Sequence, residues 1–303
     1  MKKTLLIKFI FLFLFAITNN HLSYANSNLY STKAWKTIFK QKNITNHPII
    51  FIHGIAGGFQ DWDKTTRLIS NSRSFEMRYL DNNKIFHNYY PPEQKNWIWN
   101  ISYYTNDPIS ESLAGDLSIY SQRLKKILQK ISKITKKKKF ILIAHSMGGL
   151  IARKYMTLDK KCWDSVHKVL TIGTPHMGVE TSISIVGQLR DLRPESKFIT
   201  KLNKDWKKFK QKSSLKKWGV IAGITEQDLS KVKPYSTDGA GLGYITISSA
   251  IPFGEWQQAT EKSFKKPSYN TTHFGFRSVA KANHVELLNH KKTLAGIHWA
   301  VQK

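Results

Sequence analysis

The chain of 303 residues has a single cysteine, Cys162, so no disulfide can close within it and the fold must rest on an apolar core. It is poor in acid, with 20 Asp and Glu against 48 Lys and Arg, a formal net charge of +28 at pH 7. It has no internal repeat and no low-complexity linker, which excludes a repeat array. Beyond the N-terminus, no apolar run approaches the ~20 residues that span a bilayer.

The N-terminus itself reads as a signal peptide. Lys2 and Lys3 precede an apolar stretch from Phe9 to Ile17, and Ser23-Tyr24-Ala25 forms a small-x-small cleavage site before Asn26. The expectation is a segment 1–25 that is removed and a secreted or periplasmic chain 26–303. That length suits one large α/β domain. The charge invites a nucleic-acid reading, but there is no zinc-finger spacing, RNP-like aromatic motif or basic helical reader, so nucleic acid is not expected as a partner. Anionic lipid or another acidic envelope surface suits an exported basic protein better, and a lysine-rich solvated surface is the plain alternative.

Strand-like and helical segments alternate along the chain. Residues 48–53 (PIIFIH), 140–144 (FILIA), 166–172 (VHKVLTI) and 219–225 (GVIAGIT) are short apolar strands. Between the first two, Leu117, Tyr120, Leu124, Ile127, Leu128 and Ile131 recur at helical spacing. Short buried strands joined by helices predict an α/β fold, a mostly parallel central sheet with helices on both faces. Lys136 to Lys139 precede a strand and so lie at the sheet edge opposite the one that binds ligands.

Ala144-His145-Ser146-Met147-Gly148 ends one of these strands and opens a helix within two residues. A serine on so tight a strand-to-helix turn has its hydroxyl thrust above the sheet, and its neighbours must be small: this is a nucleophile elbow, with alanine where the usual pattern has glycine. The following helix points its N-terminus at the reacting oxygen. A serine nucleophile also needs a base, an orienting acid and oxyanion donors. His53-Gly54 follows a strand directly, so the next loop can turn backbone N–H groups toward the elbow.

The strand-HG-loop at IIFIHGIAGG, the AHSMGG elbow and TIGTPHMG at 171–178 resemble the secreted bacterial lipases and esterases of the α/β-hydrolase fold. The alanine-first elbow is similar to the Bacillus-type lipases, and DLRPESKFITKLN at 191–203 resembles the stretch after the TPHxG turn in larger lipases. The resemblance covers residues 47–290 in scattered blocks. It implies oxyanion N–H groups on Ile55 and Met147. In this fold the acid follows the serine and the histidine comes last. Asp238, in YSTDGAGLGY, matches the family's Asp-Gly turn, with Asp228 as its rival. His284, in ANHVELLNH, resembles the lipase histidine turn, with His273, His290 and His298 as competitors. His176 in the TPHMG turn is expected to support the site rather than bind metal, and Cys162 to pack inertly. No cofactor and no metal are implied.

Residues 179–217 are expected to form a lid-like insertion, with Ile183, Ile185, Val186, Leu189 and Leu192 over an acyl groove. Eight lysines between Lys201 and Lys217, interleaved with Trp206, Phe209 and Trp218, have the composition of a segment that lies on an anionic membrane surface; an exposed lysine-rich helix is the alternative. The function expected is an exported serine hydrolase that cleaves carboxylic esters of lipids, a triacylglycerol lipase or carboxylesterase acting through an acyl-enzyme on a lipid or small ester. The same machinery serves phospholipases, GPI-type deacylases, thioesterases and acyltransferases. A non-catalytic envelope-lipid-binding protein is the reading from another class.

Overall fold

IIFI at Ile49–Ile52 and FILIAH at Phe140–His145 are buried at every position, because helices cover both faces of the strands they form. The computed structural model describes residues 44–69, 74–88, 98–179, 187–211, 216–226, 231–239, 245–257 and 266–303. The expected signal segment lies outside them, as do Ile183, Ile185, Val186 and Asp228. The strands are β1 (Ile49–Ile52), β2 (Phe75–Tyr79), β3 (Ile85–His87), β4 (Ile98–Ser102), β5 (Phe140–His145), β6 (Val166–Ile172), β7 (Trp218–Ile224), β8 (Ser268–Tyr269) and β9 (Phe276–Lys281). They make one sheet in the order β3-β2-β4-β1-β5-β6-β7-β9-β8. All pairings are parallel except those of the two edge strands, β3 with β2 and β8 with β9.

Alternate residues divide the core in two, as the twofold pleat requires. Ile50, Ile52, Leu142, Ala144, Val169 and Val220 pack on one face. Ile49, Phe51, Ile141, Ile143, Leu170 and Ile221 pack on the other. The helices named below are α1 (Asp63–Ile69), α2 (Leu117–Thr135), α3 (Met147–Met156), α4 (Gly187–Asp191), α5 (Lys197–Gln211), α6 (Ile247–Ala250) and α7 (Lys291–Val301). α2, α3 and α5 cover the first face, α1 and α7 the second. α2 shows what holds such a helix. The Asp116 side chain caps it, accepting from the N–H groups of Ser118 and Ile119 at 2.6 and 3.1 Å, and Lys136 ends it in the left-handed region. The cap contributes about 1 kcal/mol. Its six periodic apolar side chains, all 1% exposed or less, contribute of order 10 kcal/mol, so packing rather than capping decides the helix.

The stretch expected as a lid-like insertion divides. Residues 180–186 and 212–215 lie outside the described residues. α4 is a short helix whose Gln188 is fully buried. α5 is the crossover helix between β6 and β7, with Ile199, Leu202 and Trp206 in the core, and so belongs to the scaffold rather than to a lid. The aromatic residues read as interfacial also turn inward: Trp206 and Trp218 are 2% exposed with ring centroids 4.9 Å apart, and Phe209 stacks on Trp163. On α5 a period of 3.6 separates Trp206 and Phe209 from the lysines between which they sit in sequence, while Trp218 opens the buried strand β7. Among the described residues no helix is long and apolar enough to cross a membrane.

Candidate active site

Because β1, β5, β6, β7 and β9 run parallel, the segments leaving their C-terminal ends share one edge of the sheet. Ser146 leaves β5 with φ 53° and ψ −133°, a left-handed conformation that costs a non-glycine residue ~1–3 kcal/mol and persists only where the surroundings enforce it. Ser146 N–H donates to Ile172 O at 2.8 Å, and the Ser146 carbonyl accepts from Gly149 N–H at 3.0 Å. Small neighbours are mandatory. A Cβ on Gly54 would stand 2.8 Å from Ser146 Cβ, and one on Gly148 would stand 2.3 Å from His53 O. Ala144, buried within β5, is accommodated at the position where the usual elbow has glycine.

His284 follows β9 on a turn that its neighbours build. Asn283 Oδ1 accepts from Val285 and Glu286 N–H, and Glu286 Oε2 accepts from Asn283 N–H at 2.9 Å, a reciprocal capping pair. Asp238 reaches the same edge after β7, held by Thr225 N–H to Thr237 O at 3.0 Å. The two meet twice: His284 Nδ1 donates to Asp238 Oδ2 at 2.6 Å and His284 N–H to Asp238 O at 2.9 Å. With its proton on Nδ1, the ring offers Nε2 as an acceptor. A Cβ on Gly173, the residue after the Ile172 that binds Ser146, would stand 3.2 Å from His284 Nδ1. Serine, histidine and aspartate are thus brought to one edge, on the segments after β5, β9 and β7. Ile55 occupies the turn after β1, next to the Gly54 that packs against Ser146, and Met147 is the first residue of α3, whose N–H has no intrahelical acceptor.

Two further histidines lie against this group and stay neutral. His145 Nε2 donates to His284 O at 2.9 Å with the rings 4.5 Å apart, and burial, then the neighbouring His284, holds it well below the usual imidazole range. His53 is lowered to about 4 by burial. It stacks on Tyr103 at 4.1 Å, and the Tyr103 hydroxyl donates to the His53 carbonyl at 3.0 Å and lies 3.3 Å from the Gly54 carbonyl. Tyr103 thereby fixes the backbone from which Ile55 follows. Nothing in the sequence marked it, since it lies just past β4, a strand that sequence reasoning missed.

His176 has both ring nitrogens engaged. Nδ1 accepts from Arg153 at 3.0 Å and Nε2 donates to Thr171 Oγ1 at 3.0 Å, leaving no lone pair for a metal. Arg153 is fully buried, with its guanidinium carbon 4.7 Å from the Trp206 ring centroid and 4.5 Å from that of Trp218, and burial lowers it to about 9. The turn that carries His176 is therefore fastened to α3 and α5. Among the competitors, His273 pairs with Glu255, His290 caps α7, and His298 lies within α7. Cys162 is buried and its thiol is pushed up to about 11 by burial.

Comparison with known proteins bears on what such a site belongs to. A GPI inositol-deacylase of Candida albicans is 35% identical over 136 residues, 43% of this chain and 31% of that protein. A GPI inositol-deacylase of Kluyveromyces lactis is 25% identical over 222 residues, 68% of this chain and 21% of that protein. The chain spans less than a third of the length of either relative. A solved Listeria innocua protein shares the fold at a TM-score of 0.58 and 18% identity, over 85% of this chain and 94% of that one. A family model described as the PGAP1-like alpha/beta domain matches residues 43–251, most of the described fold, and the chain belongs to that family.

Proposed function

We propose that the protein is a serine hydrolase that cleaves a carboxylic ester of a lipid. Ser146 Oγ attacks the acyl carbonyl while His284 Nε2 takes its proton, and Asp238 holds the imidazole in the tautomer that can do so. The N–H groups of Ile55 and Met147 hold the oxyanion. Collapse of the tetrahedral intermediate breaks the ester bond, His284 returns the proton to the departing alcohol oxygen, and water activated by the same imidazole releases the acid from the acyl-enzyme. The single observation that carries this reading is the left-handed Ser146 at the sheet edge where Asp238 and His284 are joined at 2.6 Å.

Within that class, two relatives named as GPI inositol-deacylases favour removal of an acyl chain from a lipid with an inositol phosphate headgroup over the triacylglycerol lipase or carboxylesterase expected from sequence. Export across a membrane, from the N-terminal segment, remains part of this proposal. The test is fatty acid release, followed by mass spectrometry, from an inositol-acylated phosphatidylinositol glycan, a diacyl phospholipid, a triacylglycerol and p-nitrophenyl butyrate. The deacylase reading expects the first to be cleaved at least about tenfold faster than the triacylglycerol. Cleavage of the triacylglycerol alone would replace it by the lipase reading, and no release from any substrate would sink both.

A further inference from the structure

α5 has two faces of opposite character. Ile199, Leu202 and Trp206 are at most 2% exposed. Lys197, Lys201, Lys204 and Lys208, spaced i, i+4, i+7 and i+11, are exposed along the other side. At 1.5 Å per residue the stripe is ~16 Å long. It lines a shallow surface groove of about 460 Å³ with Thr200, Glu195 and Asp205. Asp205 is paired to Lys201 at 3.1 Å. Like charges one turn apart repel, so such a row weakens its own helix until something anionic answers it.

The position of the row matters as much as its charge. Asn203, next to Lys204, donates to His176 O at 3.1 Å and reaches Met177 Sδ at 3.6 Å. Met177 is 46% exposed on the turn after β6, at the edge where Ser146, Asp238 and His284 gather. As the β6–β7 crossover, α5 starts at that edge, so its lysines run from beside the site down the flank of the molecule.

We propose that this lysine face of α5 docks the protein on an anionic phospholipid bilayer, with the edge that carries Ser146 at the rim of the contact. The proposal rests on the lipid-substrate reading. A straight row of flexible ammonium groups suits a plane of phosphate headgroups. Readers of single-stranded nucleic acid interleave charge with exposed stacking aromatics, and here Trp206 is buried and Phe209 half-buried. Each lysine at an anionic surface is worth about fivefold in partitioning, and the effect falls off within a Debye length.

The test is co-sedimentation of the intact protein with vesicles of phosphatidylcholine alone or with about one third phosphatidylserine, at low and high salt. The wild type is compared with the quadruple variant Lys197→Gln, Lys201→Gln, Lys204→Gln, Lys208→Gln, and each protein is also assayed on p-nitrophenyl butyrate. The expected result is binding of the wild type to the anionic vesicles only, at least tenfold weaker in the variant and in 1 M salt, with hydrolysis of the soluble ester unchanged. Equal binding by variant and wild type overturns the proposal, as does wild-type binding to a single-stranded oligonucleotide, measured in parallel, with none to anionic vesicles. A wild type that binds these vesicles through the lysines yet cleaves no ester upholds the docking face and removes the hydrolase reading, so the two failures are told apart.

Discussion

His284 and Asp238 are joined twice, side chain to side chain at 2.6 Å and backbone to backbone at 2.9 Å, although they are 46 residues apart. The backbone bond fixes where the ring starts and the side-chain bond fixes which way it points. Asp238→Asn keeps the shape but offers an amide that can turn its NH2 to Nδ1 and stabilise the wrong tautomer. It should lower kcat by about 10²-fold or more, His284→Ala by about 10³-fold or more, and the double variant should be little worse than His284→Ala. Additive losses in steady-state kinetics would mean that the pair does not act as one unit.

Tyr103 holds the loop that precedes the Ile55 N–H without reaching the site itself. Tyr103→Phe removes one hydroxyl from a buried position and leaves the His53 carbonyl without that donor, a loss of ~1 kcal/mol. The expected outcome is a kcat lower by about fivefold with KM unchanged, because the loop serves the oxyanion and not the ground state. A rise in KM at constant kcat would assign Tyr103 to substrate binding.

Arg153 packs against two touching tryptophan rings, buried and with no carboxylate to answer it among the described residues. Its flat guanidinium lies against both rings, whose centroids are 4.9 Å apart, while donating to His176 and to Asn203 Oδ1 at 3.0 Å. Arg153→Lys keeps the charge and loses the shape, and urea unfolding should show a cost of ~2 kcal/mol or more. A change below ~0.5 kcal/mol would mean that the cage is not selective for a planar cation.

Stability should fall in mild acid. His53 is held at about 4 and His145 well below its ordinary value, so in each case the folded state refuses a proton that the unfolded chain takes up near 6.5. Their contribution is complete above pH 6.5 and is lost as pH falls toward 4, at up to ~1.4 kcal/mol per pH unit for each group. A urea midpoint that stays flat from pH 7 to pH 5 would contradict their buried, neutral placement.

What the sequence disclosed and what it hid follow from the same physics. β1, β5 and β7 were legible because strands covered on both faces read as apolar runs, β6 because Val169, Leu170 and Ile172 keep it largely apolar despite His167 and Lys168, and α2 because its apolar residues keep a helical period. β9 was not, since FRSVAK buries Arg277 against Glu255 at 2.8 Å and Ser278 beside it, which makes a core strand look polar. β4 hides likewise behind the fully buried Asn100. The turn at Ser146 was legible from its motif, and the one at His284 from its resemblance to the lipase histidine turn rather than from the strand before it. Arg153 carried no signal in the sequence, because the rings that pack on it come from residues 206 and 218.

The central claim, that Ser146 is the nucleophile, is tested most directly by treating the folded protein with a fluorophosphonate and mapping the adduct by mass spectrometry. The prediction is one phosphonylated residue, Ser146, and no adduct in Ser146→Ala, whose urea midpoint and circular dichroism should match the wild type or improve on it as the strained serine loses only its hydroxyl. A wild-type protein that takes up no probe, or an adduct that persists at another residue in the well-folded Ser146→Ala variant, would contradict it.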